Sequence, residues 1–307
     1  LEVLLAGNGV KRGMHFRLFV ALAAMVALVA AGAQGEETMT AQIEKKTCRA
    51  PDGVTIVYSA AGAGEPALVF IHGGLAERSF WDGQLKAFSG SYRVVALDLP
   101  GHGESGANRR KWGIPEFGAD GRAVVEAEKL EQVIIIGNSI GGPVAIEAAL
   151  LLPGRALGVV GVDTFQVLDY RITAEEARQR AEAFRSDYSG NLKQMVRALF
   201  HPDADPALIA EAERRMSRTP PEAADAMFLS LAGYDEGAAV RRLAVPIRAV
   251  NGDLYATNVS DNRKVKPDFD AVIMKHMGHY PMLERPEEFN RLLTDVIKDL
   301  HYKPRPQ

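Results

Sequence analysis

Gly137-Asn138-Ser139-Ile140-Gly141-Gly142 holds a serine between glycines. The apolar run Val133-Ile134-Ile135-Ile136 precedes it, and the helical pattern Pro143–Leu152 follows. A serine on so tight a strand-to-helix turn stands clear of the backbone, and the turn admits only glycine at its closest points. The helix N-terminus behind Ser139 favours negative charge developing in front of it. That suits nucleophilic attack on a carbonyl, so Ser139 is the candidate nucleophile.

Such an attack needs an oxyanion site and a base. His72-Gly73-Gly74 follows the apolar run Leu68-Val69-Phe70-Ile71. The backbone N–H of Gly74, paired with that of Ile140, is the expected oxyanion hole. His72 itself reads as structural. His279, in Met277-Gly278-His279-Tyr280-Pro281-Met282, lies in a loop between a strand and a helix that starts near Pro286. It is the candidate base, because a loop histidine at a sheet end reaches a nucleophile at the sheet top. His276 and His102 are the weaker competitors. No His/Cys cluster has metal-ligand spacing, so no metal is expected, and the chemistry needs no cofactor.

The elements that must position these groups are short β-branched runs alternating with helical patterns. The runs are Val54–Ser59, Ala67–His72, Tyr92–Leu97, Gln132–Gly137, Leu157–Val162, Val245–Asn251 and Ala271–His276. This alternation predicts an α/β fold with a mostly parallel sheet and helices on both faces. The first two runs, separated by the turn Gly62–Pro66, predict an antiparallel start. Between 169 and 242 the strand pattern stops. Helices are predicted over Ala174–Tyr188, Asn191–Phe200, Pro206–Arg218 and Pro221–Tyr234, with Pro202, Pro206, Pro220 and Pro221 marking breaks or first turns. This insertion is expected to cap the C-terminal ends of the strands, where open α/β sheets bind ligands. Phe184, Tyr188, Met195, Phe200, Met227, Phe228 and Tyr234 are its candidate pocket residues. Helical spacing makes each of them a core candidate too. Packing is the default for Trp81 and Trp112.

Four signatures now stand in order: Phe70-Ile71-His72-Gly73-Gly74, Asp98-Leu99-Pro100-Gly101-His102-Gly103-Glu104-Ser105, Gly137–Gly142 and Gly278-His279. Over about residues 50–300 the chain resembles the α/β-hydrolase superfamily, in its serine esterase-like form. The resemblance implies an eight-stranded sheet, a helical cap and a Ser-His-acid triad in the chain order Ser, acid, His. Asn138 resembles the residue before the nucleophile in the family's esterases and carbon–carbon bond hydrolases. The family's usual acid stands three residues after the glycine ending the strand that follows the cap. Here that position holds Tyr255. Asp253, one residue past Gly252, is favoured as the acid, with Asp163 after Val159-Val160-Gly161-Val162 as the alternative.

The expected activity is hydrolysis of a small carboxylic ester. The rivals are amide or carbon–carbon bond hydrolysis, cofactor-free peroxidase chemistry and a small-molecule receptor. A net charge of −3 with no basic patch argues against a nucleic-acid partner. At the N-terminus, Lys11, Arg12 and Arg17 precede the uncharged run Leu18–Gly32. Ala31-Gly32-Ala33 fits a cleavage site, and Met14 stands as a start. Residues 1–33 are therefore expected to be leader and signal peptide, giving a periplasmic or secreted protein with no stable membrane insertion once the signal is removed. The core is expected to comprise 34–168 and 243–307, with the cap at 169–242. A single cysteine, Cys48, leaves no internal disulfide, so packing alone must hold the fold.

Overall fold

Strands covered by helices on both faces are apolar at nearly every position; four here are buried throughout, and two of these are β3 (Ala67–Ile71) and β5 (Val133–Asn138). In the computed structural model, which describes residues 42–302, these two lie side by side at the centre of an eight-stranded sheet. The other strands are β1 (Glu44–Arg49), β2 (Thr55–Ala61), β4 (Val94–Leu97), β6 (Ala156–Val162), β7 (Ile247–Gly252) and β8 (Asp270–Met274). Their order is β1-β2-β4-β3-β5-β6-β7-β8. The pairs β1/β2 and β2/β4 are antiparallel and every other pair is parallel. The expected leader and signal at 1–33 fall outside the described residues.

Two expectations need correction. The runs now seen as β2 and β3 are not neighbours, because β4 lies between them, antiparallel to β2 and parallel to β3. The antiparallel start belongs instead to β1/β2 and β2/β4. Strand β1 was absent from the runs read in the sequence. It is an edge strand of sequence EKKTCR, mostly exposed, and carries no apolar run to read.

The helices are α1 (Asp82–Phe88), α2 (Ile114–Ala127), α3 (Gly141–Leu150), α4 (Ala174–Ser186), α5 (Tyr188–Leu199), α6 (Pro206–Met216), α7 (Pro221–Ser230), α8 (Glu236–Arg242), α9 (Val259–Val265), α10 (Pro281–Glu284) and α11 (Pro286–Tyr302). Five of them, α4 to α8, form the insertion between β6 and β7. Polar caps start most of these. Thr173 Oγ1 accepts the Glu176 N–H at 3.1 Å while Glu176 Oε2 accepts the Thr173 N–H at 2.8 Å, a reciprocal capping box. Asp187, Asp205 and Asp235 cap α5, α6 and α8. Helix α8 was not predicted, since seven residues show too little periodicity.

Strand order reverses between β3 and β5, and ligands bind such sheets at the carboxyl ends of the strands beside that point. Ile71 pairs with Gly137, so the residues after β3 and β5 emerge together. Asn138 pairs with Val162, which sets Ser139 beside the residue that follows β6. Among the described residues no helix is long and apolar enough to cross a membrane.

Candidate active site

Ser139 has φ +54°, in the left-handed region that costs a non-glycine residue about 1–3 kcal/mol. The surrounding contacts impose it. A Cβ on Gly137 would lie 2.0 Å from the Gly141 carbonyl oxygen, and one on Gly141 would lie 2.6 Å from that of Ile71. The Ser139 N–H donates to Val162 O at 3.1 Å and Gly142 N–H to Ser139 O at 2.9 Å, which pins the turn from both sides. The N-terminus of α3 then stands directly behind the hydroxyl.

Gly74 and Ile140 flank the same cavity as Ser139. Among the described residues, no protein acceptor takes the N–H of either. Two uncommitted backbone donors beside a nucleophile are what an oxyanion hole requires. Gly74 also permits a close approach from the insertion, since a Cβ there would meet Met227 Cε at 2.8 Å. His72 is structural, as read: its Nδ1–H donates to Gly73 O at 2.7 Å and its Nε2 accepts the Leu99 N–H at 2.9 Å. Burial pushes its pKa down to about 4.

The structure brings Asp163, not Asp253, to the candidate base. His279 Nδ1–H donates to Asp163 Oδ2 at 2.5 Å, and the Asp163 side chain is buried. Its other oxygen, Oδ1, accepts the Gly252 N–H at 3.0 Å. Asp163 itself has φ +44°, so the chain turns sharply at the end of β6 and directs the carboxylate across the sheet top. The expectation that favoured Asp253 is corrected accordingly. That carboxylate is exposed and turned back along its own loop, accepting the Met277 N–H at 3.1 Å. This bond is the main cause lowering its pKa below the usual carboxylate range. Tyr255, at the family's usual acid position, lines the cavity and is 45% exposed.

Three supporting contacts carried no sequence signal. Asn138 Nδ2 donates to Val162 O at 2.9 Å and to His279 O at 3.0 Å, tying the elbow to the acid's strand and to the histidine loop. Glu284 on α10 accepts the N–H groups of Gly278 and Tyr280, on either side of His279, at 3.3 and 3.4 Å. The His279 N–H donates to Leu199 O, at the end of α5, at 2.6 Å. Asn138 was noticed only as a family resemblance. Polar residues of this kind show their role only once the loops have met.

Residues 68–292, well over half of the chain, match the Alpha/beta hydrolase family. The chain belongs to the α/β-hydrolase family. It is 24% identical over 257 residues to a pimeloyl-(acyl-carrier protein) methyl ester esterase of Nitrosospira multiformis, across 77% of this chain and 95% of that protein. It is 32% identical over 108 residues to the dihydrolipoyllysine-residue acetyltransferase component of an acetoin cleaving system of Cupriavidus necator. That match spans 35% of this chain and only 29% of the relative's length. A thermophilic esterase from Thermogutta terrifontis superimposes with a TM-score of 0.73 at 22% identity, over 85% of this chain and 99% of that one, a likeness of fold alone.

In this α/β hydrolase the cavity occupies about 540 Å³. Its floor holds Ser139, Asp163 and His279, and its insertion side holds Met195, Leu199, Met227, Phe228 and Leu231. The insertion therefore contributes Met195, Met227 and Phe228 as read, while Phe184, Tyr188, Phe200 and Tyr234 do not line it. Phe184 packs against Tyr188 and Phe228 with ring centroids 5.5 and 5.1 Å away. Trp81 is core, 5.1 Å from Phe70, and Trp112 packs on Phe117. Among the described residues no group of three or more His, Cys, Asp or Glu side chains is arranged to hold a metal ion.

Proposed function

We propose that this hydrolase cleaves small carboxylic esters through an acyl-enzyme on Ser139. The observation that carries the reading is the Asp163–His279 pair set in the same cavity wall as a serine held at positive φ. With Nδ1–H given to Asp163, the His279 ring keeps Nε2 free to take a proton.

In the first half-reaction Ser139 Oγ bonds to the ester carbonyl carbon and its proton passes to His279 Nε2. The N–H groups of Gly74 and Ile140 receive the negative oxygen, each donor contributing roughly 3–4 kcal/mol of transition-state stabilisation. Collapse breaks the carbon–oxygen bond to the alcohol, which leaves with the proton from His279. A water molecule then attacks the acyl-enzyme, gives its proton to His279, and releases the carboxylic acid and the free serine. Asp163 holds the tautomer and stabilises the imidazolium, without itself taking the proton.

The mostly apolar lining supports an uncharged acyl chain close to the serine. p-Nitrophenyl esters of graded chain length test the reading. Hydrolysis should be saturable, a fluorophosphonate should label Ser139 stoichiometrically, and Ser139→Ala should lower kcat by about 10⁴-fold or more while the protein stays folded. A folded, unlabelled Ser139→Ala protein that retains wild-type turnover would remove Ser139 from the reaction.

A further inference from the structure

One cavity residue has no part in the acyl transfer. Glu236, the first residue of α8, lines the same cavity as Ser139 and His279. Among the described residues its carboxyl makes no hydrogen bond and no ion pair. None of the other charged groups on the lining is bonded to it. Asp163 is bonded to His279 and Gly252, and the Arg180 guanidinium lies 3.3 Å from the Tyr170 hydroxyl. The residue is half-buried, opening onto the cavity while protein surrounds its charge. Burial alone pushes the carboxyl up to about 8, with no neighbouring charge offsetting it.

A carboxyl facing a largely apolar cavity without a partner is costly in either state. Protonated, it leaves hydrogen-bonding capacity unused; ionised, it lacks a counter-charge. A ligand that brings the missing charge removes both costs, and charge-assisted bonds are about twice as strong as neutral ones. We propose that Glu236 is the specificity contact of this cavity and that it recognises a positively charged amine on the part of the substrate remote from the scissile bond. The inference rests on reading the cavity as the hydrolase active site, and it deepens that reading from esters in general to amine-bearing ones. The apolar walls formed by Met227, Phe228 and Leu231 would take the carbon chain between the amine and the reacting carbonyl.

The test is binding rather than turnover, so it is read independently of the serine chemistry. n-Butyl-, n-hexyl- and n-octylammonium chloride are titrated calorimetrically into the full-length protein beside the matching alcohols. At about pH 8.5 an alkylamine, with a pKa near the lysine value of about 10.4, remains cationic. At least one ammonium ion should bind ten-fold or more tightly than its alcohol, and Glu236→Gln should erase that difference. Glutamine keeps the shape and removes the charge, so the fold is expected to survive; if it does not, the wild-type comparison alone decides. Equal or tighter binding of the alcohols, no binding of any ammonium ion, or a preference that persists in Glu236→Gln would each overturn the proposal. Fluorophosphonate labelling of Ser139, measured separately, decides the hydrolase reading.

Discussion

Gly252 gives its backbone N–H to Asp163 Oδ1 at 3.0 Å, so β7 ends by supporting a carboxylate that follows β6. The carboxylate that touches His279 is thereby fixed at both oxygens, one on the ring and one on the neighbouring strand. Asp163→Asn should keep the fold but present the wrong partner to Nδ1, and kcat should fall by about 10⁴. Asp253→Asn, which touches only a backbone N–H at the surface, should cost less than about tenfold in rate and about 1 kcal/mol or less in stability. Steady-state kinetics and urea unfolding on the two variants check the pair; a collapse of rate in Asp253→Asn alone would reverse the assignment.

Asn138 ties together three loops through one amide nitrogen. Asn138→Ala takes the side-chain donor from the buried His279 carbonyl and one of the two donors from Val162 O, which keeps the Ser139 N–H, and this should destabilise the protein by about 1–3 kcal/mol. Because one of those carbonyls belongs to His279, kcat should drop more than tenfold while KM for a short ester moves little. Asn138→Gln, one methylene longer, should restore little of either. Activity retained at the wild-type level in a destabilised Asn138→Ala protein would confine Asn138 to folding.

Two buried imidazoles are expected to weaken the fold as pH falls. Burial lowers His72 to about 4 and His102 to about 3 from an ordinary 6.5. Folded values below the unfolded one mean that the contribution is complete above pH 6.5 and is lost as pH falls toward the folded values, at about 1.4 kcal/mol per pH unit for each ring. Glu236, raised by burial, pulls the opposite way, so the informative quantity is a difference. His102→Asn keeps a donor for Pro100 O and removes one titration. Urea midpoints taken from pH 7 down to 4.5 should show wild type losing stability more steeply than this variant, and parallel curves would exclude the mechanism.

Local sequence was enough to read the tight turn around Ser139 and to place Gly74, Ile140 and the loop of His279 at one cavity. Each of these depends on a few contiguous residues whose shape is dictated by glycine and by an adjacent apolar run. The carboxylate that meets His279 was not readable in this way. Counting residues after Gly252 points to Asp253 or Tyr255. What decides the matter is the register Asn138–Val162 and the positive φ of Asp163, which depend on strand pairing between distant segments. The same limit hid β1, whose lysines and glutamate suit an edge, and α8, whose seven residues carry Glu236 into the cavity. Neither has enough apolar periodicity to announce itself.

Leu199 O accepts the His279 N–H at 2.6 Å, across from a glycine that tolerates nothing larger. The insertion is thus not a detachable module. A chimera that grafted another relative's insertion between β6 and β7 would change the walls of the pocket, but it would also remove a backbone anchor of the His279 loop. Designers who transplant such segments to alter substrate range should carry the carbonyl at position 199 across with the graft, or expect turnover to decline even where the new walls fit their target well.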